Sequence, residues 1–156
     1  MAACSRTKWY PPPPSLVSIR GPPGTPGTHY LEQNPLPEPP FWADVADAEE
    51  RLRVALSEVY AYYSRNEPML ANVLRDAPLD PVAQENMASF YQYWEAMRDA
   101  LADAFEASGE LHEALLAAIA LALDFQTWRT LVRQQELNQD RVVGLMAGMV
   151  RCLMST

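Results

Sequence analysis

The chain has 156 residues, of which 49% are hydrophobic and 21% are charged, and it carries a formal net charge of −8 at pH 7. These values indicate one globular domain, long enough to bury a core but too short for two independent enzyme domains. The negative charge argues against a surface for nucleic acid or for an anionic membrane on the chain as given.

Cysteine use and hydropathy indicate the compartment. Cys4 and Cys152 are far apart in the sequence and lie near no histidine cluster, so the sequence supports neither a disulfide framework nor a zinc site. The most apolar segment covers about 12 residues, whereas a helix that spans a membrane needs roughly 20. We expect a cytoplasmic protein without a membrane segment.

The amino-terminal part of the chain differs in composition from the rest. Eleven of the 14 prolines lie within residues 1–40, and proline both removes backbone donors and pushes the preceding residue out of the helical region. We therefore expect residues 1–28 to form a disordered tail rich in proline and glycine. The helical domain is expected over residues 29–153, with aromatic residues such as Trp42 docking onto it.

From Ala43 onward the apolar residues recur every three or four positions, which predicts helices and no strands. We predict an all-α, five-helix bundle. The first helix covers residues 44–65 and is capped by Asp44, and a short second helix is capped by Asn66 with Pro68 in its first turn. The remaining three helices are expected from Asp80 to Gly109, over residues 110–134 and from about Asn138 onward.

The last two helices carry more apolar surface than a five-helix monomer needs. The first half of the fourth helix is apolar nearly all round, and Gly144 and Gly148 leave a flat strip on the fifth where another helix can come close. We therefore expect a homodimer with a self-complementary contact. Its predicted interface consists of Leu121, Phe125, Val143, Gly144, Met146, Ala147, Gly148 and Val150.

Two long phrases in the helical part resemble a known family. "RLRVALSEVYAYYSRNEPMLANVLRD" (51–76) and "ALALDFQTWRTLVRQQELNQDRVVGLMAGMV" (120–150) are similar to the carboxy-terminal ligand-binding and dimerisation domain of TetR-type bacterial transcriptional regulators. The resemblance covers roughly residues 29–153. It implies that the last two helices form a four-helix dimer contact and that a small hydrophobic effector binds among the central helices.

In that family a helix-turn-helix unit that binds DNA precedes the effector domain. The proline-rich residues 1–28 cannot supply one, so DNA binding requires a helix-turn-helix encoded upstream. One hypothesis is that residues 1–28 arise from a wrong start or a frameshift. The alternative is a genuine truncated protein that heterodimerises with intact regulators.

Aromatic and methionine side chains recur on one side of the third helix and face others on neighbouring helices, and they either line an apolar ligand pocket or form ordinary core. The predicted ligand-binding residues are Tyr63, Met87, Phe90, Tyr91, Trp94, Met97, Asp124 and Trp128. Asp124 falls on the inner stripe of its helix. We predict that it is an internal carboxylate held by hydrogen bonds, the alternative being a polar anchor for an effector.

The residues needed for catalysis or metal binding do not form a recognisable pattern. There is no Ser-His-Asp order, phosphate-binding glycine loop or nucleophile elbow, so we expect no enzyme, no catalytic residue and no cofactor. Glu95, Asp99 and Asp103 recur every four residues, but a carboxylate di-metal bundle would also need Glu-x-x-His pairs. A solvated acidic face without metal is expected.

Two functions follow from these observations. The first is an effector-binding and dimerisation domain of a TetR-like transcriptional regulator whose DNA-binding part is missing from this chain. The second is a helical dimerisation or interaction protein that binds no ligand.

Overall fold

The computed structural model describes residues 36–37, 40–76 and 81–155. Within these ranges the chain is helical and contains no strand, which confirms the prediction of an all-α helical bundle. The helices are α1 (Pro40–Ala43), α2 (Ala48–Asp76), α3 (Pro81–Ala102), α4 (Gly109–Leu123), α5 (Phe125–Arg129) and α6 (Gln139–Met154). The predicted tail, residues 1–28, lies outside the described residues.

Helix α2 is one continuous helix of 29 residues, roughly 44 Å long at 1.5 Å per residue. The two separate helices predicted over this region are therefore wrong. Asn66 does not cap a second helix. It is buried, and its side-chain amide donates a hydrogen bond to the Tyr62 carbonyl at 2.9 Å. Pro68 lies inside the helix with its ring on the exposed side.

The start of α2 also differs from the prediction. The Asp47 carboxylate accepts a hydrogen bond from the Glu50 N–H at 2.8 Å, as an N-cap residue does when it satisfies one of the first unpaired donors of a helix. Asp47 therefore caps α2 in place of Asp44, and the helix begins at Ala48.

Helix α3 begins at Pro81, as predicted, but ends at Ala102 instead of Gly109. A short 3₁₀ turn (Asp103–Phe105) follows, and Glu106 then takes the left-handed conformation with φ of 51°. Gly109 is also left-handed, with φ of 59°, but it opens α4. The terminator is therefore a non-glycine residue, for which the left-handed conformation costs about 1–2 kcal/mol.

The predicted fourth helix is interrupted at Asp124. Helix α4 ends at Leu123, and the following α5 and π-helical turn (Thr130–Gln134) continue after a bend of 55°. A left-handed Glu136 with φ of 54° follows, and the Leu137 N–H donates to the Leu131 carbonyl at 3.1 Å to close the turn. Helix α6 starts at Gln139 after Asn138, whose side chain accepts from the Arg141 N–H, so the predicted start near Asn138 is confirmed.

One hydrophobic core joins the main helices. Helices α2, α4 and α6 pack against one another, and α3 packs on α4. The large aliphatic side chains buried most completely in this core are Leu52, Leu56, Val59, Leu101, Leu115, Ile119, Val142 and Val150. Helical spacing on each element therefore places one apolar side inward, as the sequence pattern predicts.

The segment before α2 packs against the same core. Leu36 and Trp42 are 2% and 3% exposed, and the Tyr93 hydroxyl on α3 donates a hydrogen bond to the Pro37 carbonyl. The predicted docking of Trp42 is thus confirmed. Tyr93 fixes the position of the chain where it enters the bundle.

No helix in the described ranges is by itself long and apolar enough to cross a membrane. Gly109–Leu123 and Phe125–Gln134 reach the required length and composition only when taken together across their bend.

Candidate functional site

The interruption at Asp124 is built by that residue's own backbone and side chain. Its φ of −74° and ψ of 129° are extended, and its N–H donates to the Leu121 carbonyl at 3.3 Å. The carboxylate accepts from the Thr127 N–H at 2.6 Å. Asp124 therefore ends α4 and caps α5 at once.

Two tyrosines of α2 complete the interruption from the core side. The Tyr60 hydroxyl donates to the Ala122 carbonyl at 2.8 Å, and the Tyr63 hydroxyl donates to the Leu123 carbonyl at 2.5 Å. The last carbonyls of a helix have no partner within the helix. Burial, and secondarily the negative charge of Asp124, raise the pKa of both tyrosines, so each hydroxyl stays protonated as a donor.

An open cleft of about 280 Å³ lies beside this interruption. It is lined by Tyr63, Leu74, Phe90, Tyr91, Trp94, Glu95, Arg98, Ala120, Leu123, Asp124 and Phe125. Helix α3 supplies five of these residues, and the others come from α2, α4, α5 and Asp124 itself. We call this site the aromatic cleft.

The five aromatic rings of the aromatic cleft form a connected series. Ring centroids are 6.1 Å apart for Tyr91 and Phe90, 5.7 Å for Phe90 and Trp94, and 5.6 Å for Trp94 and Tyr63. Tyr63 and Phe125 follow at 5.3 Å in an edge-to-face arrangement. Such tilted and edge-to-face pairs are favourable aromatic geometries, so the rings hold one another in place.

The charged residues of the aromatic cleft are mainly acidic. Glu95 and Asp124 have no cationic partner among the described residues, whereas the Arg98 guanidinium is paired with Asp99 at 2.8 Å. Asp124 is exposed, which contradicts the prediction that it is internal. The extended backbone at position 124 ends the helical phase on which that prediction depended.

The predicted ligand residues divide between the aromatic cleft and the core. Tyr63, Phe90, Tyr91, Trp94 and Asp124 line the cleft. Met97 and Trp128 are buried in the core and are not part of the cleft lining. The side chain of Met87 lies outside the described residues.

Part of the cleft lining was not among the predicted ligand-binding residues, notably Leu74, Glu95, Arg98 and Leu123. Glu95 and Arg98 neighbour the aromatic stripe on α3 and could have been included on spacing alone. The signal that could have revealed the interruption is Asp124 itself, because aspartate is a preferred N-cap residue. Its carboxylate accepts a hydrogen bond from the Thr127 N–H.

An unpaired indole N–H does not distinguish the aromatic cleft from the core of the bundle. The Trp94 Nε1 atom is buried and has no acceptor among the described residues, but the same is true of Trp42 and Trp128 in the core.

The predicted dimer residues also divide into two groups. Leu121 is 46% exposed, and a Cβ added at Gly144 or Gly148 would have no atom of another described part of the chain within 4 Å. The others are buried in the core of the single chain and so cannot present their side chains to a partner: Phe125, Val143, Met146, Ala147 and Val150. The sequence pattern identified the apolar residues of α6, but it did not indicate which side of the helix faces the core.

Two large apolar residues that the interface prediction omitted are exposed on α6. Leu145 and Met149, four residues apart, are each 43% exposed. On the adjacent α4, Ala114, Ala117 and Leu121 are also exposed and share one side of the helix. We call these residues, together with Gly144 and Gly148, the outer apolar face.

An ion-pair cluster links α2 to the segment after the interruption. Arg133 donates to both carboxylate oxygens of Glu67, with the shortest contact at 2.6 Å, and Arg129 lies 3.3 Å from the same carboxylate. The Arg133 hydrogen bond is the main cause of a lowered pKa at Glu67. This cluster fixes the π-helical turn against α2.

The acidic residues of α3 and of the 3₁₀ turn after it do not converge. Glu95, Asp99 and Asp103 are all exposed, and the described part of the chain contains no group of three or more metal-ligating side chains that could hold a metal ion.

The fold and this geometry define the chain as an all-α helical bundle with an aromatic cleft and an outer apolar face. Comparisons with protein-family models, with curated proteins and with solved structures find no match.

Proposed function

We propose that the chain is an effector-binding and dimerisation domain of a TetR-like transcriptional regulator. The observation that carries the proposal is the aromatic cleft, in which five aromatic rings and two carboxylates surround an open space of about 280 Å³. Binding sites for small molecules are typically apolar clefts with a few polar groups that fix orientation. DNA binding is not assigned to the described residues.

The aromatic cleft is well placed to couple a ligand to the helices around it. Tyr63 lines the cleft and also donates to the Leu123 carbonyl at the end of α4. Asp124 lines it and caps α5. A ligand that touched these two residues would therefore act on the bend between α4 and α5.

The outer apolar face supports the dimerisation half of the proposal. Soluble monomers rarely leave large apolar side chains together on a surface, and α4 and α6 pack side by side with exposed leucines and a methionine. Gly144 and Gly148 allow a second helix to approach the α6 backbone closely. The partner that fits this face best is the same face of a second copy, because a two-fold symmetric dimer brings the same surface of both subunits together.

The ligand half is tested by thermal unfolding of the purified chain in the presence of small hydrophobic compounds. A compound present at 100 times its dissociation constant should stabilise the folded state by about 2.7 kcal/mol. The same compounds should have no effect on a Trp94→Ala, Phe90→Ala variant that still unfolds cooperatively. Absence of any stabilising compound would favour the alternative, a helical interaction protein without a ligand.

The dimer half is tested by measuring mass in solution. The unmodified chain should be a dimer, and Leu145→Glu together with Met149→Glu should give a monomer with unchanged helical content. A matched control is Asn72→Glu, at an exposed position of α2 outside the outer apolar face. A monomeric unmodified chain would remove this half of the proposal.

A further inference from the structure

The charged residues of the aromatic cleft indicate which charge a ligand of this cleft would carry. The four charged groups at and beside it are Glu95, Asp124, Arg98 and Asp99. Arg98 and Asp99 neutralise each other through a 2.8 Å contact. Two carboxylates thus remain without a cationic partner among the described residues, next to five aromatic rings.

An aromatic ring carries a negative face, and a cation above it is attracted electrostatically. Carboxylates beside such rings add to the same potential, and the negative charge of the whole chain adds to it at longer range. An anionic ligand would be repelled by the negative ring faces and by the carboxylates. Neutral apolar ligands would gain from the rings alone.

We propose that the aromatic cleft selects organic cations that carry an aromatic or bulky apolar group, such as a quaternary ammonium joined to a ring. This inference rests on the proposed ligand-binding function and names its ligand class. The rings Phe90, Tyr91 and Trp94 contact the apolar part and the cationic centre, and Glu95 and Asp124 supply the opposing charge.

Three arginines, Arg98, Arg129 and Arg133, could oppose a cationic ligand, and each is paired with a carboxylate. Arg98 is the one cationic residue in the cleft lining, and its guanidinium is engaged by Asp99 through both a 2.9 Å hydrogen bond from Nε and the shorter contact of its other nitrogen. The nearby cations Arg129 and Arg133 are held by Glu67 on α2 and line a different surface depression.

The experiment uses two probes of nearly the same shape. Benzyltrimethylammonium is a cation, and neopentylbenzene is its neutral counterpart with carbon in place of nitrogen. Each is titrated into the full chain while the indole N–H resonances of the tryptophans are followed by NMR. The cation should bind about tenfold more tightly than the neutral probe, a difference in the range of a desolvated cation–π contact.

Variants that remove charge but keep shape identify the source of the preference. Asp124→Asn retains the cap of α5, because asparagine caps helices as well as aspartate does, and Glu95→Gln changes an exposed side chain. Each should weaken the cation by about two- to fivefold and leave the neutral probe unchanged. Glu58→Gln, exposed on α2 and not part of the cleft lining, is the matched control and should change neither.

The outcomes separate this inference from the proposed function. Equal or tighter binding of neopentylbenzene would overturn the cation assignment and leave the ligand-binding function in place. Binding of neither probe up to its solubility limit would overturn the cation assignment, and the thermal-unfolding screen then decides separately whether the aromatic cleft binds any ligand. A preference for the cation that survives in the Asp124→Asn, Glu95→Gln double variant would overturn the role given to the carboxylates.

Discussion

Helix α2 continues through Pro68, whereas the predicted fourth helix stops at Asp124. Intrinsic propensity predicts the reverse, because proline costs about 3 kcal/mol inside a helix and aspartate well under 1 kcal/mol. The difference lies in the partners that each position offers. A helix ends where its freed backbone groups find other partners, and it continues where packing holds both of its halves.

At Pro68 the continuing helix is held from both sides. Tyr63 and Leu70, before and after the proline, are buried in the core. Proline removes the hydrogen bond to the carbonyl of Ser64, four residues earlier, but Ser64 is exposed and water can take that bond. The local loss is therefore small compared with the burial gained by continuing.

At Asp124 the chain offers partners for three of the backbone groups that the interruption frees. Tyr60 and Tyr63 donate to the Ala122 and Leu123 carbonyls, and the Asp124 carboxylate accepts the Thr127 N–H. Hydrogen bonds to a buried carbonyl and to a helix N-terminus offset the cost of ending α4.

The largest expected effect comes from removing the proline. Pro68→Ala should raise the free energy of unfolding by up to about 3 kcal/mol, because it restores a backbone donor and a better helix former inside α2. Urea unfolding measures this change. Asn72→Ala, on the exposed side of the same helix, is the control and should gain only a few tenths of a kcal/mol. No gain at position 68 would mean that the bundle requires a bend there.

The next effect concerns the tyrosine donors. Tyr63→Phe should lower the free energy of unfolding by about 1–3 kcal/mol, because the Leu123 carbonyl loses its partner in a buried environment. Chemical denaturation of the variant gives the value. Tyr91→Phe removes a hydroxyl from a residue that is 48% exposed and should change little. An equal change in the free energy of unfolding for the two variants would show that the Tyr63 hydroxyl does not stabilise the interruption between α4 and α5.

A smaller effect is expected at the cap itself. Asp124→Ala should cost about 1 kcal/mol, the usual loss when an N-cap acceptor is removed, while Asp124→Asn should retain most of the stability. The two melting curves can be compared directly. If alanine were as stable as aspartate, or if the α4 and α5 amides became continuously protected from hydrogen exchange, the helix would be able to run straight through.

The smallest effect tests the link between the two regions, since Glu67 lies next to Pro68 and binds Arg129 and Arg133. Its pKa is lowered in the folded chain, chiefly by the Arg133 hydrogen bond, from an ordinary value of 4.5. The folded state therefore gains stability above pH 4.5 and loses it as the pH falls through the lower folded pKa.

Unfolding measured from pH 3 to pH 7 checks this dependence. Glu67→Gln should be less stable than the unmodified chain at pH 7, and the difference should shrink as the solution becomes acidic. A difference that stayed constant with pH would assign the effect of Glu67 to packing and not to its charge.

The fold class and the beginnings of α3 and α6 could be predicted from the sequence, because helical spacing, Pro81 and Asn138 act locally. The continuity of α2 and the interruption of α4 could not, since both depend on contacts between residues about 60 positions apart, such as Tyr63 with Leu123. The prediction that Asp124 is internal was wrong because it assumed that the fourth helix continues past Leu123. A periodic pattern gives the phase of a residue only while the helix continues.

The same limit applies to the candidate site. Three of its five aromatic residues were predicted because they share a stripe on α3, whereas Met97 on the same stripe and Trp128 on α5 are buried in the core without lining the aromatic cleft. Spacing identifies an inward side of a helix. Which part of that side meets a cleft depends on how the neighbouring helix bends.

The docked segment before α2 sets a practical boundary for the folded unit. Leu36 and Trp42 fill the core, and the Pro37 carbonyl accepts from Tyr93. A chain cut at Ala43 would lose the buried Leu36 and Trp42 side chains and the hydrogen bond from Tyr93 to the Pro37 carbonyl, so it should be cleaved by proteases more readily. In the intact chain, limited proteolysis should accordingly spare the bond between Leu36 and Pro37 and the two bonds on either side of Trp42.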